Sequence, residues 1–501
     1  MWKLLCFGRM RVDSVWKACY DKISLIAARM ATSASLYVGK VCDFMQKREK
    51  FSSRLGFILI SAGCAIGLGN VYRFPIITGA YGGAFFVLIY LVFLALLGLP
   101  VMVAELSVGR GSQRSIATSF EVLEKKGQKW HLMKYLGIAG NYLLMMFYTC
   151  ISSWMVIYFF KYLSGSMMQH QGAEALGNVF GAMVSNAGLV LPVTFGVILL
   201  CFGICSMGLQ KGVEKITKVM MVLLLALILC LGAYSCTLSG AGAGLKFYLV
   251  PSLDHLKESG VWTVVSAAMG QAFFTLSLGI GAIAIFGSYI DKNRSLTGEA
   301  VTIVGLDTFV ALASGLILFP AYFTFNPGAQ GIPAEQAGAG FLFTTLSAIF
   351  NSMRTGRIVG SLFFLFMTFA ALSTIIAVFE NIMSFWLELT KLSRRKIALI
   401  NVALVAVLSL PCIFSMNLWS GVSIFGKNFM DLEDYIVSNL LLPVGSLCYV
   451  LFCTSRYGWG WKNFESEVNA GRGLRLPGWM RPYMTWVLPV IIAIVLVMSI
   501  I

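Results

Sequence analysis

AGCAIGLGNVYRFP, residues 62–75, sits inside a run apolar enough to cross a bilayer, yet it carries Gly63, Gly67, Gly69, Asn70, Arg73 and Pro75. Glycine weakens a helix through its backbone entropy, and proline removes a hydrogen-bond donor. An arginine at mid-helix costs roughly 2.5–3.5 kcal/mol on insertion scales. The stretch therefore predicts a helix that unwinds at depth. Unwound backbone is tolerated there only where it lines a cavity, because freed N–H and C=O groups need partners. GQAFFTLSLGIGAIAIFGSY, residues 270–289, repeats the pattern with Gly279 and Gly281 beside Thr275 and Ser277. Glycines serving only close helix packing would leave Asn70, Arg73 and Pro75 unexplained. Two interrupted helices five spans apart predict the halves of an inverted repeat, with a binding site between the breaks.

The rest of the chain agrees. Of its 501 residues 58% are hydrophobic and 12% charged, where a soluble domain has about 25% charged. The fold class is an all-α polytopic membrane protein. With about 20 apolar residues needed per crossing, the sequence places eleven transmembrane helices near 54–79, 84–108, 134–163, 188–207, 213–236, 261–287, 299–323, 356–389, 397–416, 432–453 and 484–501. A net charge of +16 would suggest nucleic acid for a soluble protein; here its distribution sets topology instead. Basic residues crowd alternate loops: Arg110, Arg114, Lys125, Lys126 and Lys129; Lys211 and Lys215; Lys292 and Arg294; Lys391, Arg394, Arg395 and Lys396; Arg456, Lys462, Arg472, Arg475 and Arg481. Loop 164–187 has none, while Arg354 and Arg357 fall on the outer side. That bias puts the N-terminus inside and the C-terminus outside a cell (inner) membrane.

Three segments follow: a basic extension over 1–45, a membrane core over 46–455 with repeats near 54–236 and 261–453, and a cytoplasmic loop with the eleventh helix over 456–501. The extension reads either as an amphipathic segment on the anionic inner leaflet or as sequence upstream of a start at Met45. The twelve cysteines are scattered, mostly within spans, without metal-ligand spacing, and read as small apolar side chains. HExxH, a Ser/His/Asp set and a Gly-rich phosphate loop are not found, so an enzyme is not expected.

SRLGFILISAGCAIGLGNVYRFP, GGAFFVLIYLVFLALLGLPVMVAELSVGR, GQAFFTLSLGIGAI and FAALST occur in that order. They resemble the signatures of the neurotransmitter:sodium symporters, the family of the bacterial leucine transporter and the monoamine transporters. The resemblance covers about 46–455, and the eleven-helix count is similar to a bacterial subset. It implies sodium, a hard cation taking oxygen ligands, at two sites. One would use the Ala65 carbonyl, Asn70, Thr275 and Asp307. The other would use the carbonyls of Gly63, Ile66 and Ala370 with Ser373 and Thr374; the family often has Thr-Ser at that last pair.

Substrate class follows from Gly67, where monoamine transporters carry an aspartate. Without it the substrate must bring its own carboxylate, set against the amides near Leu68 and Gly69 and the Tyr148 hydroxyl. The resemblance places the side-chain pocket at Cys64, Leu144, Phe274, Ser277, Ile280 and Val378, an apolar set that suits a neutral hydrophobic or aromatic L-amino acid. Arg73 and Asp434 match an outer ionic gate near Gln271, with Asp431 as an alternative partner. Arg48 and Glu388 match an inner gate, where this chain has Phe51 in place of the family's Trp and Glu in place of Asp. Glu105 resembles the acid that leans toward the break in span six. Asp307 in VGLDTFVALASG stands where the family commonly has Asn, with Ala311 one turn later; a negative charge beside the first sodium site implies that chloride is not required. The expected partners are an amino acid and the lipid bilayer, not nucleic acid. Sodium-coupled uptake is the principal reading, and a membrane-embedded amino-acid sensor is the alternative.

Overall fold

The computed structural model describes residues 50–253, 260–333 and 339–500. Arg48 and the 1–45 extension lie outside the described residues. Every long element is a helix, and nine helices are long and apolar enough to cross a membrane among the described residues. They are Ala84–Ser112, Trp130–Ser164, Ala187–Ser206, Leu209–Cys236, Leu296–Phe325, Gly356–Leu389, Arg394–Ser415, Phe429–Thr454 and Met480–Met498. They occupy expected spans two to five and seven to eleven, and keep those numbers below.

Span one is the bent pair Arg54–Ala65 and Gly69–Ala80, which meet at 57°. Ser53 caps its start by accepting from the Gly56 amide at 3.0 Å, satisfying one of the amides a helix leaves open at its start. The helix ends because Ile66 turns extended at φ −71°, ψ 92°. A wide π-helical turn over Gly69–Arg73 restarts it, and Pro75 near the new start has no amide to lose. Span six is the helix Val261–Thr275, an irregular segment, and the short helix Ala284–Gly287. The irregular segment holds Ser277, Gly279 and Gly281 at φ 50°, 99° and 80°. Glycine enters that left-handed region without a Cβ clash.

Packing has a paired character. Span two packs on both halves of span six, and span seven on both halves of span one; span three lies along span eight, and span four along span nine. The two breaks are thereby held inside the bundle. At the end assigned to the cytoplasm, Arg110 of span two is fully buried. It donates to Glu467 Oε1 at 2.7 Å, and Lys292 reaches the other oxygen at 2.7 Å. The loop beyond span ten is thus fastened beneath spans two and six.

Candidate functional site

Asn70 organises the break in span one. Its Oδ1 accepts from the Gly67 amide at 3.1 Å. Its Nδ2 donates to Asp307 Oδ1 at 2.8 Å and to the Asp307 carbonyl at 3.2 Å. Asp307 Oδ2 accepts from Thr275 Oγ1 at 3.3 Å. Asn70, Thr275 and Asp307 come from three different spans, and all are buried. Ser314, which sequence reasoning missed, donates to the Asn70 carbonyl at 2.8 Å. A lone serine one face along span seven carries no signal in the sequence.

A second cluster of oxygens gathers where the first half of span one ends. Thr374 Oγ1 of span eight lies 3.2 Å from the Gly63 carbonyl, 3.4 Å from that of Ile66 and 3.4 Å from that of Ala370. Ser373 Oγ donates to the Ala370 carbonyl at 2.9 Å. The carbonyls of span one collect here because the helix stops, leaving its last C=O groups without partners in the chain ahead.

The break in span six is satisfied by one side chain on its amide side. Glu105 accepts from Gly279 at 2.7 Å, Ile283 at 3.0 Å and Ala284 at 3.3 Å. Hydrogen bonds to an anion are the strong ones. Each amide left unpaired in the interior costs about 1–3 kcal/mol. Glu105→Leu is therefore expected to abolish the monodisperse peak of detergent-solubilised protein in size-exclusion chromatography, with Glu105→Gln retaining part of it.

Between the breaks lies a cavity of about 10 Å³ lined by Ala65, Gly67, Gly69, Leu144, Tyr148, Phe274, Thr275, Ser277, Thr374 and Leu442. Tyr148 accepts from the Leu68 amide at 2.8 Å. Gly67 is pressed closely: a Cβ there would fall 2.4 Å from the Tyr148 hydroxyl and 2.7 Å from Thr374 Oγ1. Of the expected side-chain pocket, Leu144, Phe274 and Ser277 line the cavity; Cys64, Ile280 and Val378 are buried and are not among its lining residues. Cys64 Sγ lies 4.0 Å from the Ala282 carbonyl. Ile280 is turned onto span three, because the left-handed residues on either side of it redirect the chain. Leu442 of span ten joins the lining without having been expected.

Of the expected charged pairs, the structure describes both members of the outer one, whereas Arg48 of the inner one lies outside the described residues. Arg73 makes no ion pair among the described residues; its guanidinium lies 4.2 Å from the Phe274 ring centre, a cation–π contact. Asp434 accepts from Ser438 at 2.8 Å, and Asp431 bonds to Asn428. Gln271 Nε2 donates to the Gly69 carbonyl at 2.9 Å. At the opposite end Glu388 accepts from the Ser115 amide at 2.7 Å and Thr118 Oγ1 at 2.9 Å. Phe51 packs against Phe57, Phe286 and Tyr289. Tyr289 in turn donates to Glu380, which also pairs with Arg394.

Comparison with known proteins agrees with this architecture. Residues 48–174 and 178–501 match the profile of the sodium:neurotransmitter symporter family. An uncharacterized sodium-dependent transporter of Bacillus subtilis, YhdH, is 35% identical over 81% of this chain and 88% of its own length. A counterpart in Methanocaldococcus jannaschii is 31% identical over 90% of each chain. The sodium- and chloride-dependent taurine transporter of Bos taurus is 27% identical over 66% of this chain and 58% of its own. Among solved structures, that of MhsT in complex with L-phenylalanine superposes with a TM-score of 0.79 at 36% identity, covering 90% of this chain and all of that one. The paired packing, the two interrupted helices and these likenesses lead to one conclusion: the chain belongs to the sodium:neurotransmitter symporter family and is a sodium-dependent membrane transporter.

Proposed function

We propose that the protein is a symporter that couples sodium entry to uptake of a neutral hydrophobic or aromatic L-amino acid by alternating access. The single observation that carries this reading is the convergence of buried oxygens on both sides of the break in span one. Asn70, Thr275, Asp307 and the Ala65 carbonyl would hold one sodium ion. The Gly63, Ile66 and Ala370 carbonyls with Ser373 and Thr374 would hold a second. The paired packing supports two inverted five-helix repeats within a 46–455 core, with 456–501 as an added loop and helix. The charge bias supports an inside N-terminus and outside C-terminus.

The substrate carboxylate would lie against the backbone near Leu68 and Gly69 and the Tyr148 hydroxyl, where a half-helix begins and its dipole favours an anion. The lining carries no free charge for a charged side chain, and a neighbour solved with L-phenylalanine points the same way. A cavity of about 10 Å³ is roughly the room of one water molecule, so admission requires the breaks to part. Arg73 and Asp434 would then close the outer side, and Arg48 with Glu388 the inner side. The negative charge of Asp307 would stand in for chloride.

Accumulation of labelled phenylalanine in proteoliposomes under an inward sodium gradient tests the reading. Uptake is expected to survive replacement of chloride by gluconate, and tyrosine is expected to compete where tyramine, glutamate and lysine do not. Asp307→Asn is expected to lose uptake or to gain a response to chloride. Sodium-dependent binding without accumulation would favour the amino-acid sensor. Strict chloride dependence would remove the role given to Asp307 and leave the transporter in place.

A further inference from the structure

The break in span six frees backbone groups of both kinds, and they are held by different parts of the bundle. Its amides converge on Glu105 of span two. Its Ile280 carbonyl accepts from Asn141 Nδ2 of span three at 2.8 Å. The same Nδ2 donates to the Gly137 carbonyl at 2.7 Å, and Asn141 Oδ1 accepts from Asn381 Nδ2 of span eight at 3.0 Å. Asn141 and Asn381 are fully buried, and Asn381 Oδ1 has no partner among the described residues. Polar side chains inside spans are costly and face the bundle, where they bond to backbone or to one another.

The Ile280 side chain docks on the same turn. A Cβ on Gly140 would fall 2.6 Å from Ile280 Cγ2, and one on Gly137 would fall 3.3 Å from the Ile280 carbonyl oxygen. Span three thus presents a notch for the side chain and a donor for the carbonyl within one helical turn. Toward span two the short helix of span six is interlocked far more tightly. A Cβ on Gly109 would sit 1.9 Å from the Ala284 carbonyl oxygen, and one on Gly287 would sit 2.5 Å from that of Leu106. The break is seated on span ten as well, where a Cβ on Gly445 would sit 2.1 Å from the Gly279 carbonyl oxygen. Of the three attachments the one to span three leaves the most room, which makes it the natural place to part.

We infer that the seat of Ile280 on Gly140 and Asn141, with Asn141 oriented by Asn381, is the latch that holds the inner half of span six against span three while the cytoplasmic path is closed. The inference rests on the alternating-access reading. Asn141 is a positioning residue, acting on the path through the Ile280 backbone rather than by touching ions or substrate. One net hydrogen bond biases such an equilibrium by roughly fivefold.

Cys64 is a built-in reporter, since its sulfur faces the Ala282 carbonyl of the segment that would move. In protein retaining Cys64 as its sole cysteine, and shown to take up phenylalanine, labelling by an impermeant maleimide from the cytoplasmic side of inside-out vesicles reads the opening. Asn141→Ala and Gly140→Ala are each expected to raise the labelling rate by about fivefold, and Asn381→Ala by less. Gly140→Ala leaves both amides intact, so it decides the matter if Asn141→Ala fails to fold. A merely structural role would lower thermal stability without speeding Cys64 labelling. Unchanged labelling in either folded variant that still binds phenylalanine with sodium overturns the latch. Absence of sodium-dependent binding in the parent protein overturns the symport reading instead.

Discussion

Asn70→Ala is expected to reduce sodium-dependent binding of phenylalanine by at least about 100-fold, the upper end of what loss of a supporting group costs a metal centre. Asn70 joins spans one and seven. It receives the Gly67 amide, donates twice to Asp307, and its own carbonyl is held by Ser314. Truncation leaves the Gly67 amide and the Asp307 carboxylate without these partners in a dry interior. A buried polar group left unpaired in this way costs about 1–3 kcal/mol. The measurement is binding of tritiated phenylalanine to purified protein across a sodium titration, with a size-exclusion profile to show that the variant is folded. Thr374→Val, isosteric but lacking the hydroxyl that lies near three carbonyls, is expected to act in the same direction. Binding by either folded variant at parental affinity would remove these residues from the ion sites.

Gly67→Asp is expected to abolish amino-acid uptake without conferring uptake of amines. The family likeness alone would suggest a simple exchange of substrate class. The geometry argues otherwise, because a Cβ at this position meets the Tyr148 hydroxyl at 2.4 Å and Thr374 Oγ1 at 2.7 Å. Overpacking of a tight interior costs about 1–3 kcal/mol, and here it would push on the residue that receives the Leu68 amide and on the hydroxyl beside the carbonyl cluster. The added carboxylate would be buried against Tyr148 and Thr374, with no cation among the residues lining the cavity. Uptake of labelled phenylalanine and of labelled tyramine in the same vesicles decides the outcome; tyramine transport by the single variant would refute the steric account.

The interrupted helices are legible in the sequence because the cause is local. Glycines, Pro75 and a polar cluster within one apolar run disfavour a continuous helix whatever surrounds them. The oxygens of Asn70, Thr275, Asp307 and Thr374 are legible by likeness, and the structure brings them close. What is not legible is the direction of side chains after an irregular segment. Ser277 adopts φ 50°, a conformation that a serine does not announce, and Ile280, between two left-handed glycines, packs on Gly140 of span three. Leu442 reaches the lining from a helix more than a hundred residues away in sequence. The pairing of Arg110 with Glu467 spans 357 positions, so neither residue carries a local mark of the other. Arg73 shows a different limit: a guanidinium has both a carboxylate and an aromatic face within its range of attraction, and only packing decides between them.

The burial of Asp307 in the first half of a 30-residue membrane helix has an electrical meaning. A carboxylate that keeps its charge at that depth lies within the voltage drop of the bilayer, where one elementary charge crossing the full field at 100 mV is worth about 2.3 kcal/mol. In the proposed symport, sodium bound beside it would make the centre neutral, and the resting potential would pull on it weakly. Once sodium had left, a carboxylate buried so deeply would be stable as an anion only beside another cation, and only the charged form would be driven outward by an inside-negative potential. In that cycle, an Asp307 that stayed charged would let the resting voltage help to turn the emptied carrier back to face the medium, whereas one that took up a proton would make that step indifferent to voltage and couple it to proton exit.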